Sequence, residues 1–278
     1  GLIAVDKKHI HHEEGEDKDE SKYEGAYTIE PERGLYKWVI SIDLVSLYPS
    51  IMRSLNMSPE TMNQEANDSE TYIASNKVKF DKEPRGVIPC VLDELFKGRV
   101  EYKKLMKEAE KGSNEYENYY MKQYTYKIIL NSFYGYIGME YSRFYNKDIA
   151  EAVTLTGQHI IKSTRDFVNS IGPYKVAYGD TDSLYVDVSK IASSKEDCIR
   201  IGNEIKDLVN RNLDKIAESF NIFGHHYFKF NFEKVSRSAL FVKKKRYATL
   251  TCWDDGFDVD NKLGIVGIEV VRSDTPRI

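Results

Sequence analysis

The chain has 278 residues, 40 Lys and Arg against 44 Asp and Glu, and a formal net charge of −4. Hydrophobic residues make up 41% and charged residues 30%, which is ordinary for a globular protein, and no apolar run approaches the ~18 residues of a membrane span. Length and composition therefore exclude a membrane-spanning protein and a short disulfide-stapled fold, while the net charge identifies no partner.

The cysteines and the amino-terminal segment carry little functional information. Cys90, Cys198 and Cys252 are far apart and lack zinc-site spacing, so we expect reduced thiols in a reducing compartment. Residues 1–22 are predicted to be an acidic, histidine-containing tail without regular structure. A metal site at its three histidines is the alternative, and a solvated tail is favoured over it. Because the first residue is Gly, we expect the chain to have been processed or excised from a longer one.

Apolar periodicity predicts the order of the main elements. A β-rich strand at Tyr36–Asp43 runs directly into a helix at Ser46–Leu55. Long helical patterns follow at Val91–Lys111, Glu115–Ile137, Lys147–Ser170 and Ser194–Phe220. Only Gly112, Ser113 and Asn114 separate the first two of these, which predicts a helical hairpin.

Short β-rich segments complete the pattern. Lys175–Tyr178 and Leu184–Val188 predict a β-hairpin with acidic residues at its turn. Further β-rich segments follow Tyr227, at Phe230, Leu240–Val242, Tyr247–Cys252 and Gly264–Val270. The element order predicts an α+β fold, in which an antiparallel sheet with packed helices is interrupted by a protruding antiparallel two-helix hairpin.

Three aspartates fall at the ends of predicted strands. Asp43 ends the first strand, and Asp180 and Asp182 lie in the β-hairpin turn. Burial of an unpaired carboxylate is costly, so such residues usually have a cationic partner or a metal ion. The i, i+2 spacing places Asp180 and Asp182 on one side of an extended segment. Turn chemistry explains this short acidic pattern equally well when it is taken alone.

Three longer motifs resemble a known family. DLVSLYPSI (Asp43–Ile51), KIILNSFYG (Lys127–Gly135) and YGDTDS (Tyr178–Ser183) resemble motifs A, B and C of the family B DNA polymerases, in that order. Three further segments are most similar in sequence to replicative polymerases of large tailed bacteriophages: YEGA (Tyr23–Ala26), KKRY (Lys244–Tyr247) and Thr275 with Pro276. The resemblance covers roughly residues 20–278.

The resemblance implies a domain organisation. Residues 23–84 are expected to form the first part of a palm with motif A, residues 85–138 the fingers hairpin with motif B, and residues 139–278 the second part of the palm with motif C and the basic strand. Exonuclease and thumb domains are expected to be absent. We therefore expect a catalytic core without proofreading, either a fragment or one part of a split replicative polymerase.

The implied activity is DNA-templated addition of dNTPs to a primer 3′-hydroxyl. This is an in-line phosphoryl transfer run by two Mg²⁺ ions, with Mn²⁺ as a substitute. By the resemblance, Asp43 and Asp182 bind both metals, the Leu44 carbonyl supplies a further ligand, and Asp180 is a catalytic auxiliary carboxylate. Glu233 resembles another acidic position near the metals.

Helical spacing places two cationic stripes on the hairpin. Lys127, Asn131 and Tyr134 lie at i, i+4 and i+7 of one helix. On the preceding helix, Arg99, Lys103 and Lys107 are spaced four apart and share a face. A solvated charged surface is the alternative. The nucleotide site that the resemblance implies comprises Leu44, Ser46, Leu47, Tyr48, Arg99, Lys103, Lys127, Asn131 and Tyr134.

The resemblance gives several of these residues a role. Arg99, Lys103 and Lys127 are expected to bind the triphosphate, with Lys127 also the candidate general acid for the leaving pyrophosphate. Asn131 would help to position the triphosphate. Tyr134 would pack against the nascent base pair, and the Tyr48 ring would exclude a ribose 2′-hydroxyl; a core tyrosine is the alternative for Tyr48.

A basic strand indicates duplex binding. Lys234–Arg246 contains six basic residues and no acidic one, and such residues provide sequence-independent contacts to phosphates. The DNA-binding residues that the resemblance implies are Tyr23, Gly25, Gly135, Thr181, Lys245, Arg246 and Tyr247. Gly135 would allow close approach of chain or base.

The implied partners are primer-template DNA and dNTPs. A separate thumb or exonuclease polypeptide and a sliding clamp are further expected partners, no membrane is expected, and the expected compartment is the cytoplasm, that of an infected bacterium for a viral protein. Two alternatives stay open: a non-catalytic nucleic-acid-binding or assembly subunit of a split polymerase, and an RNA-copying palm.

Overall fold

The computed structural model describes residues 25–268, so the predicted tail, Tyr23 and the Thr275–Pro276 pair lie outside the described residues. The strands are β1 (Thr28–Ile29), β2 (Gly34–Leu44), β3 (Thr71–Ile73), β4 (Lys79–Asp81), β5 (Lys175–Asp180), β6 (Ser183–Asp187), β7 (Phe230–Lys243), β8 (Arg246–Asp254) and β9 (Phe257–Val266). The helices are α1 (Leu47–Ser54), α2 (Val87–Glu108), α3 (Asn114–Ile137), α4 (Lys147–Ser170) and α5 (Lys195–Glu218).

These elements form two compact units. The first, called here the helical unit, contains residues 48–156 and 219–227. The second, called the sheet unit, contains residues 26–47, 157–218 and 228–268. Within the described part of the chain, no helix combines the length and the apolar character needed to cross a membrane.

The sheet unit is built on seven antiparallel strands in the order β1-β5-β6-β2-β7-β8-β9. Helix α5 packs on β2 and β7 because its apolar residues recur at helical spacing, so that one stripe is buried. Gly202 lies in this stripe, where an added Cβ would lie 2.6 Å from the buried Phe232 ring. The absence of a side chain at Gly202 therefore permits the close contact of α5 with β7.

An aromatic cluster of buried and partly buried rings lies on the same sheet. The rings of Tyr178, Tyr185, Phe241 and Tyr247 lie with centroids 5.3 to 6.1 Å apart. The hydroxyls of Tyr185 and Tyr247 hydrogen-bond each other at 3.1 Å, which satisfies both polar tips inside an apolar environment.

Tyrosines also join the two helices of the α2–α3 hairpin. The Tyr102 ring of α2 lies 6.3 Å from the Tyr119 ring and 5.8 Å from the Tyr126 ring of α3. Gly98 of α2 leaves room for Tyr126, whose ring would lie 2.6 Å from a Cβ at that position. The Ser113 hydroxyl accepts the Tyr116 N–H at 3.1 Å and caps α3 at its first turn.

The structure confirms the mixed helical and antiparallel-sheet prediction. Helix α4 has the predicted limits, Lys147–Ser170, whereas α2 begins at Val87, before the predicted Val91. The residues from Phe230 to Val242 form one continuous strand, β7, rather than the separate segments predicted. Strand β5 extends through Asp180 and strand β6 begins at Ser183, so the turn between them is shorter than predicted.

Gly202→Ala is expected to destabilise the sheet unit by about 1–2 kcal/mol. The helix-propensity gain of roughly 1 kcal/mol is smaller than the expected cost of overpacking, since the Phe232 ring is buried and stacked on the Trp253 ring. Urea unfolding would measure the change. Gly135→Ala is the control, because an added Cβ there meets no atom within 4 Å and should stabilise α3 by about 0.5–1 kcal/mol. Equal effects at the two positions would contradict the packing argument.

Candidate functional site

A row of polar residues crosses one end of the central strands of the sheet unit. Asp43 on β2 is paired with Ser183 on β6 and with Asn231 on β7, and Ser183 is also paired with Asp180 on β5. Directly opposed residues of antiparallel strands have side chains on the same face. The row therefore gathers the predicted residues Asp43 and Asp180 with Ser183 and Asn231. Sequence reasoning gave no role to Ser183, because strand register is not visible in the sequence.

The β5–β6 turn corrects one prediction. Thr181 has a φ of 60°, and the Asp182 N–H donates to the Asp180 carbonyl at 2.7 Å, which closes a three-residue turn. The chain therefore reverses between Asp180 and Asp182, and the prediction that both lie on one side of an extended segment is wrong. A β-branched residue with positive φ is strained, and such strain often accompanies functional sites.

Hydrogen bonds hold this turn from both sides. The Leu44 N–H donates to the Asp182 carbonyl at 2.8 Å, and the Thr181 N–H donates to the Tyr27 carbonyl at 3.1 Å. Because Leu44 directly follows Asp43, the first bond places the backbones of Asp43 and Asp182 side by side. The structure thus brings the two predicted metal ligands together at the end of β2.

Burial raises the pKa of the Asp182 carboxyl to about 6, and the charges of Asp180 and Glu233 act in the same direction. The Asp182 backbone N–H and the Lys245 charge oppose this effect. Glu233 reaches the site from a β-bulge: Ser41 is opposite Lys234 and Ile42 is opposite Phe232, which leaves Glu233 as the extra residue of β7.

Asp180 has a different electrostatic environment from Asp182. Its carboxylate forms an ion pair with Lys245, and its side chain is 14% exposed whereas that of Lys245 is 58% exposed. The backbone N–H of Lys245 donates to the Tyr178 hydroxyl at 3.0 Å, and this bond fixes the β7–β8 turn beside Asp180. Lys245 therefore compensates the charge of Asp180, and Asp182 is the carboxylate with the greater electrostatic need for a cation.

The donor set fits a hard divalent cation. Carboxylate and carbonyl oxygens are the ligands that Mg²⁺ prefers, and Mg²⁺ commonly takes one or two carboxylates and fills its remaining positions with water and substrate phosphates. Asp43, Asp182 and the Leu44 carbonyl supply such donors. In residues 25–268 no group of three or more His, Cys, Asp or Glu side chains is arranged to hold a metal.

The helical unit contains the predicted cationic stripe of α3. Lys127 and Asn131 are exposed and line a pocket of about 340 Å³ together with Tyr124, Ile128 and Ser132. The Tyr134 ring lies 4.3 Å from the Tyr48 ring of α1, so these two predicted nucleotide contacts touch each other.

Arg99 on α2 is the most unusual cation of the helical unit. Its Nε is buried without a hydrogen-bond partner in the described chain, and burial lowers the pKa of the guanidinium. A buried unsatisfied donor costs on the order of 1–3 kcal/mol. Lys103 follows four residues later and is exposed. An anionic ligand would relieve the cost at Arg99.

The remaining predicted residues lie in varied surroundings. Gly25 and Gly135 are exposed, with open space where a Cβ would stand. Ser46 has a φ of 47° and Leu47 is buried. Half-buried Arg246 begins β8, and the following residue, Tyr247, belongs to the aromatic cluster described above.

Comparison with known proteins identifies the class. Residues 2–278 match the family model described as DNA polymerase family B, and the chain therefore belongs to this family. It is 37% identical over 252 residues to a DNA polymerase of Archaeoglobus fulgidus, covering 91% of this chain and 29% of that protein. It is 36% identical over 258 residues to DNA polymerase 1 of Pyrococcus abyssi, covering 92% and 30%.

A eukaryotic relative shows the same partial coverage. The chain is 31% identical over 265 residues to the DNA polymerase alpha catalytic subunit of Xenopus laevis, covering 92% of this chain and 17% of that protein. The chain thus spans less than a third of the length of these relatives. The predicted family is confirmed, and the closer similarity to bacteriophage enzymes stays a prediction.

Asp182→Asn is expected to stabilise the protein in a pH-dependent way. The folded-state pKa of Asp182 is raised from 3.8 to about 6, so ionisation disfavours the folded state as the pH rises through this range. The variant should gain up to about 3 kcal/mol above pH 6 and nothing below about pH 4. Urea unfolding in EDTA across pH 4–8 would measure this. Asp187→Asn, at the other end of β6, is the control, and a gain that does not vary with pH would contradict the electrostatic cause.

Proposed function

We propose that the chain is the catalytic core of a DNA-templated DNA polymerase, which adds dNTPs to a primer 3′-hydroxyl by two-metal phosphoryl transfer. Membership of DNA polymerase family B supports the reaction class. The observation that carries the proposal is the Asp182 carboxylate, whose charged form is disfavoured by burial and by two neighbouring carboxylates, and whose backbone is hydrogen-bonded to the residue after Asp43. A divalent cation would reverse that destabilisation.

Each acidic residue has a distinct part in the proposal. Asp43 and Asp182 would hold two Mg²⁺ ions, or Mn²⁺ in their place, and the Leu44 carbonyl would supply a further ligand. When bound, such ions acidify the attacking hydroxyl and neutralise the developing charge on the phosphates. Asp180, compensated by Lys245, would act as an auxiliary carboxylate, and Glu233 would add negative charge from its bulge.

The hairpin would bind the nucleotide. Arg99, Lys103 and Lys127 would contact the triphosphate, and the unpartnered Nε of Arg99 supports an anionic ligand there. Lys127 would also donate a proton to the leaving pyrophosphate, because an ammonium beside phosphates can act as a general acid. Asn131 shares the pocket of Lys127 and would orient the triphosphate.

Tyr48 would set the sugar preference. Its ring contacts the Tyr134 ring, and this contact fixes where the Tyr48 side chain can lie. We assign it the exclusion of a ribose 2′-hydroxyl, with Tyr134 packed against the nascent base pair and Ser46 and Leu47 beside the nucleotide.

The wider organisation is also part of the proposal. Residues 23–84 and 139–278 would form the palm, and residues 85–138 the fingers. Lys245 and Arg246 would bind primer-template DNA without sequence preference, with Tyr23, Gly25, Gly135, Thr181 and Tyr247 also close to the duplex. The sequences of the motifs favour a replicative enzyme of a large tailed bacteriophage, assisted by a sliding clamp.

Asp182→Ala is expected to reduce primer extension by at least about a thousandfold, because it removes a proposed ligand of both metals. Extension of a labelled primer-template with Mg²⁺ and dNTPs at low salt would measure this. Asp187→Ala, at the end of β6 remote from the turn, should retain activity. If the wild-type chain binds duplex DNA but never extends the primer, the polymerase proposal fails and a non-catalytic binding subunit replaces it.

Tyr48→Ala should lower the preference for dNTPs over rNTPs by about tenfold or more, since a ring that blocks the 2′-hydroxyl would be removed. Single-nucleotide incorporation of each dNTP and rNTP on DNA and RNA templates would measure the ratio. Tyr136→Ala removes an exposed ring of α3 and serves as the control. An unchanged ratio would rule out the sugar-excluding role, and a wild-type preference for rNTPs or RNA templates would favour an RNA-copying palm.

A further inference from the structure

A half-buried ion-pair network lies at the base of α2 in the helical unit. Asp93 of α2 accepts a hydrogen bond from Arg53 of α1 at 2.6 Å and another from Arg85 at 2.8 Å. Arg85 also donates to the Arg53 carbonyl at 2.7 Å. The side chains of Arg53 and Asp93 are only 11% and 20% exposed, so solvent screens this pair far less than an ordinary surface pair.

Arg53 is also enclosed by two aromatic rings. Its guanidinium carbon lies 4.2 Å from the centroid of the Phe96 ring and 3.7 Å from that of the Tyr227 ring. Asp93 and Phe96 are three residues apart on α2 and therefore lie on one helical face. The Arg53 guanidinium contacts both Asp93 and Phe96. These two contacts therefore fix the rotation of α2 about its own axis as well as its position.

The segment that follows α1 holds the start of α2. The N–H of Gly86 donates to Asn56 Oδ1 at 2.8 Å, and the N–H of Val87 donates to Glu60 Oε1 at 2.6 Å. The first N–H groups of a helix have no partner within it, so these side chains satisfy donors that α2 cannot satisfy itself. Capping alone fixes one end of α2, whereas the Arg53 contacts lie about two turns further along.

The opposite end of α1 contacts the other helix of the hairpin. Tyr48, in the first turn of α1, lies against Tyr134 of α3, with ring centroids 4.3 Å apart. A helix of eight residues thus touches α3 near its start and α2 near its end. Together the contacts join both helices of the hairpin to α1.

We propose that Arg53 and Asp93 are positioning residues for nucleotide addition. Their ion pair holds the α2–α3 hairpin so that Lys127 and Asn131 keep a fixed placement relative to the Tyr48 ring. This inference rests on the proposed polymerase function, because it assigns these residues to the same nucleotide site. Neither Arg53 nor Asp93 touches the nucleotide in this proposal, and both act through the hairpin.

Nucleotide dependence provides the first test. Arg53→Met should raise the KM for dNTPs by about tenfold to a hundredfold, because small misplacements of binding groups have effects of this size. The Kd for primer-template DNA should not change. Arg53→Lys retains the charge but not the planar, ring-stacked fork, so it should restore the KM only in part. Asp93→Asn should raise the KM similarly, and the double variant should be no worse than either single one.

A matched ion pair provides the control. Lys79 pairs with Asp68 at 2.7 Å in the same unit, and Lys79→Met should leave the KM for dNTPs unchanged. An unchanged KM in folded Arg53→Met would overturn the proposal. Equal increases in the Arg53 and Lys79 variants would overturn it as well, because they would indicate general destabilisation.

A measurement without catalysis separates this inference from the proposed function. Spin labels at Glu65→Cys and Met121→Cys, both exposed, would report the hairpin position in a Cys90→Ser background. The distance distribution should broaden in Arg53→Met and not in Lys79→Met. An unchanged distribution would overturn the positioning role whether or not the chain extends primers, whereas absence of wild-type extension alone would overturn only the polymerase proposal.

Discussion

The hydrogen bond from the Leu44 N–H to the Asp182 carbonyl is the contact on which the acidic site depends. It joins the end of one central strand to the tip of a neighbouring hairpin, and the left-handed Thr181 makes that tip short enough to reach. Without this turn, Asp182 would continue β5 and be carried away from Asp43. The strain at Thr181 is thus tied to the juxtaposition of two carboxylates, as expected where backbone strain serves a site.

Two aspartates only two residues apart acquire different electrostatic roles from their surroundings. Asp180 faces a lysine from the β7–β8 turn, and its charge is compensated within the protein. Asp182 is buried near Asp180 and Glu233, and its raised pKa shows that the balance favours the neutral form more than in water. Burial and like charges together prepare one carboxylate, and not the other, to gain from a bound cation.

In the helical unit, two arginines likewise differ in their surroundings. Arg53 is fully engaged by a carboxylate and two rings and therefore serves structure. Arg99 is half-buried on α2, and its Nε has no hydrogen-bond partner in residues 25–268, which leaves it suited to an anionic ligand. Charge alone does not distinguish these two arginines. Their partners do, and the partners come from segments more than 30 residues distant in the case of Arg53.

The sequence by itself determined the elements and the motif residues. Helix α4 is amphipathic enough for its limits to be read directly, and the three motifs located Asp43, Lys127 and Asp182 because those residue types and spacings are tied to local chain chemistry. Only the tertiary structure decided the register that sets Asn231 beside Asp43, the bulge that brings in Glu233, and the enclosure of Arg53. These features depend on pairings between distant segments, and a one-residue slip would change each of them while leaving local periodicity intact.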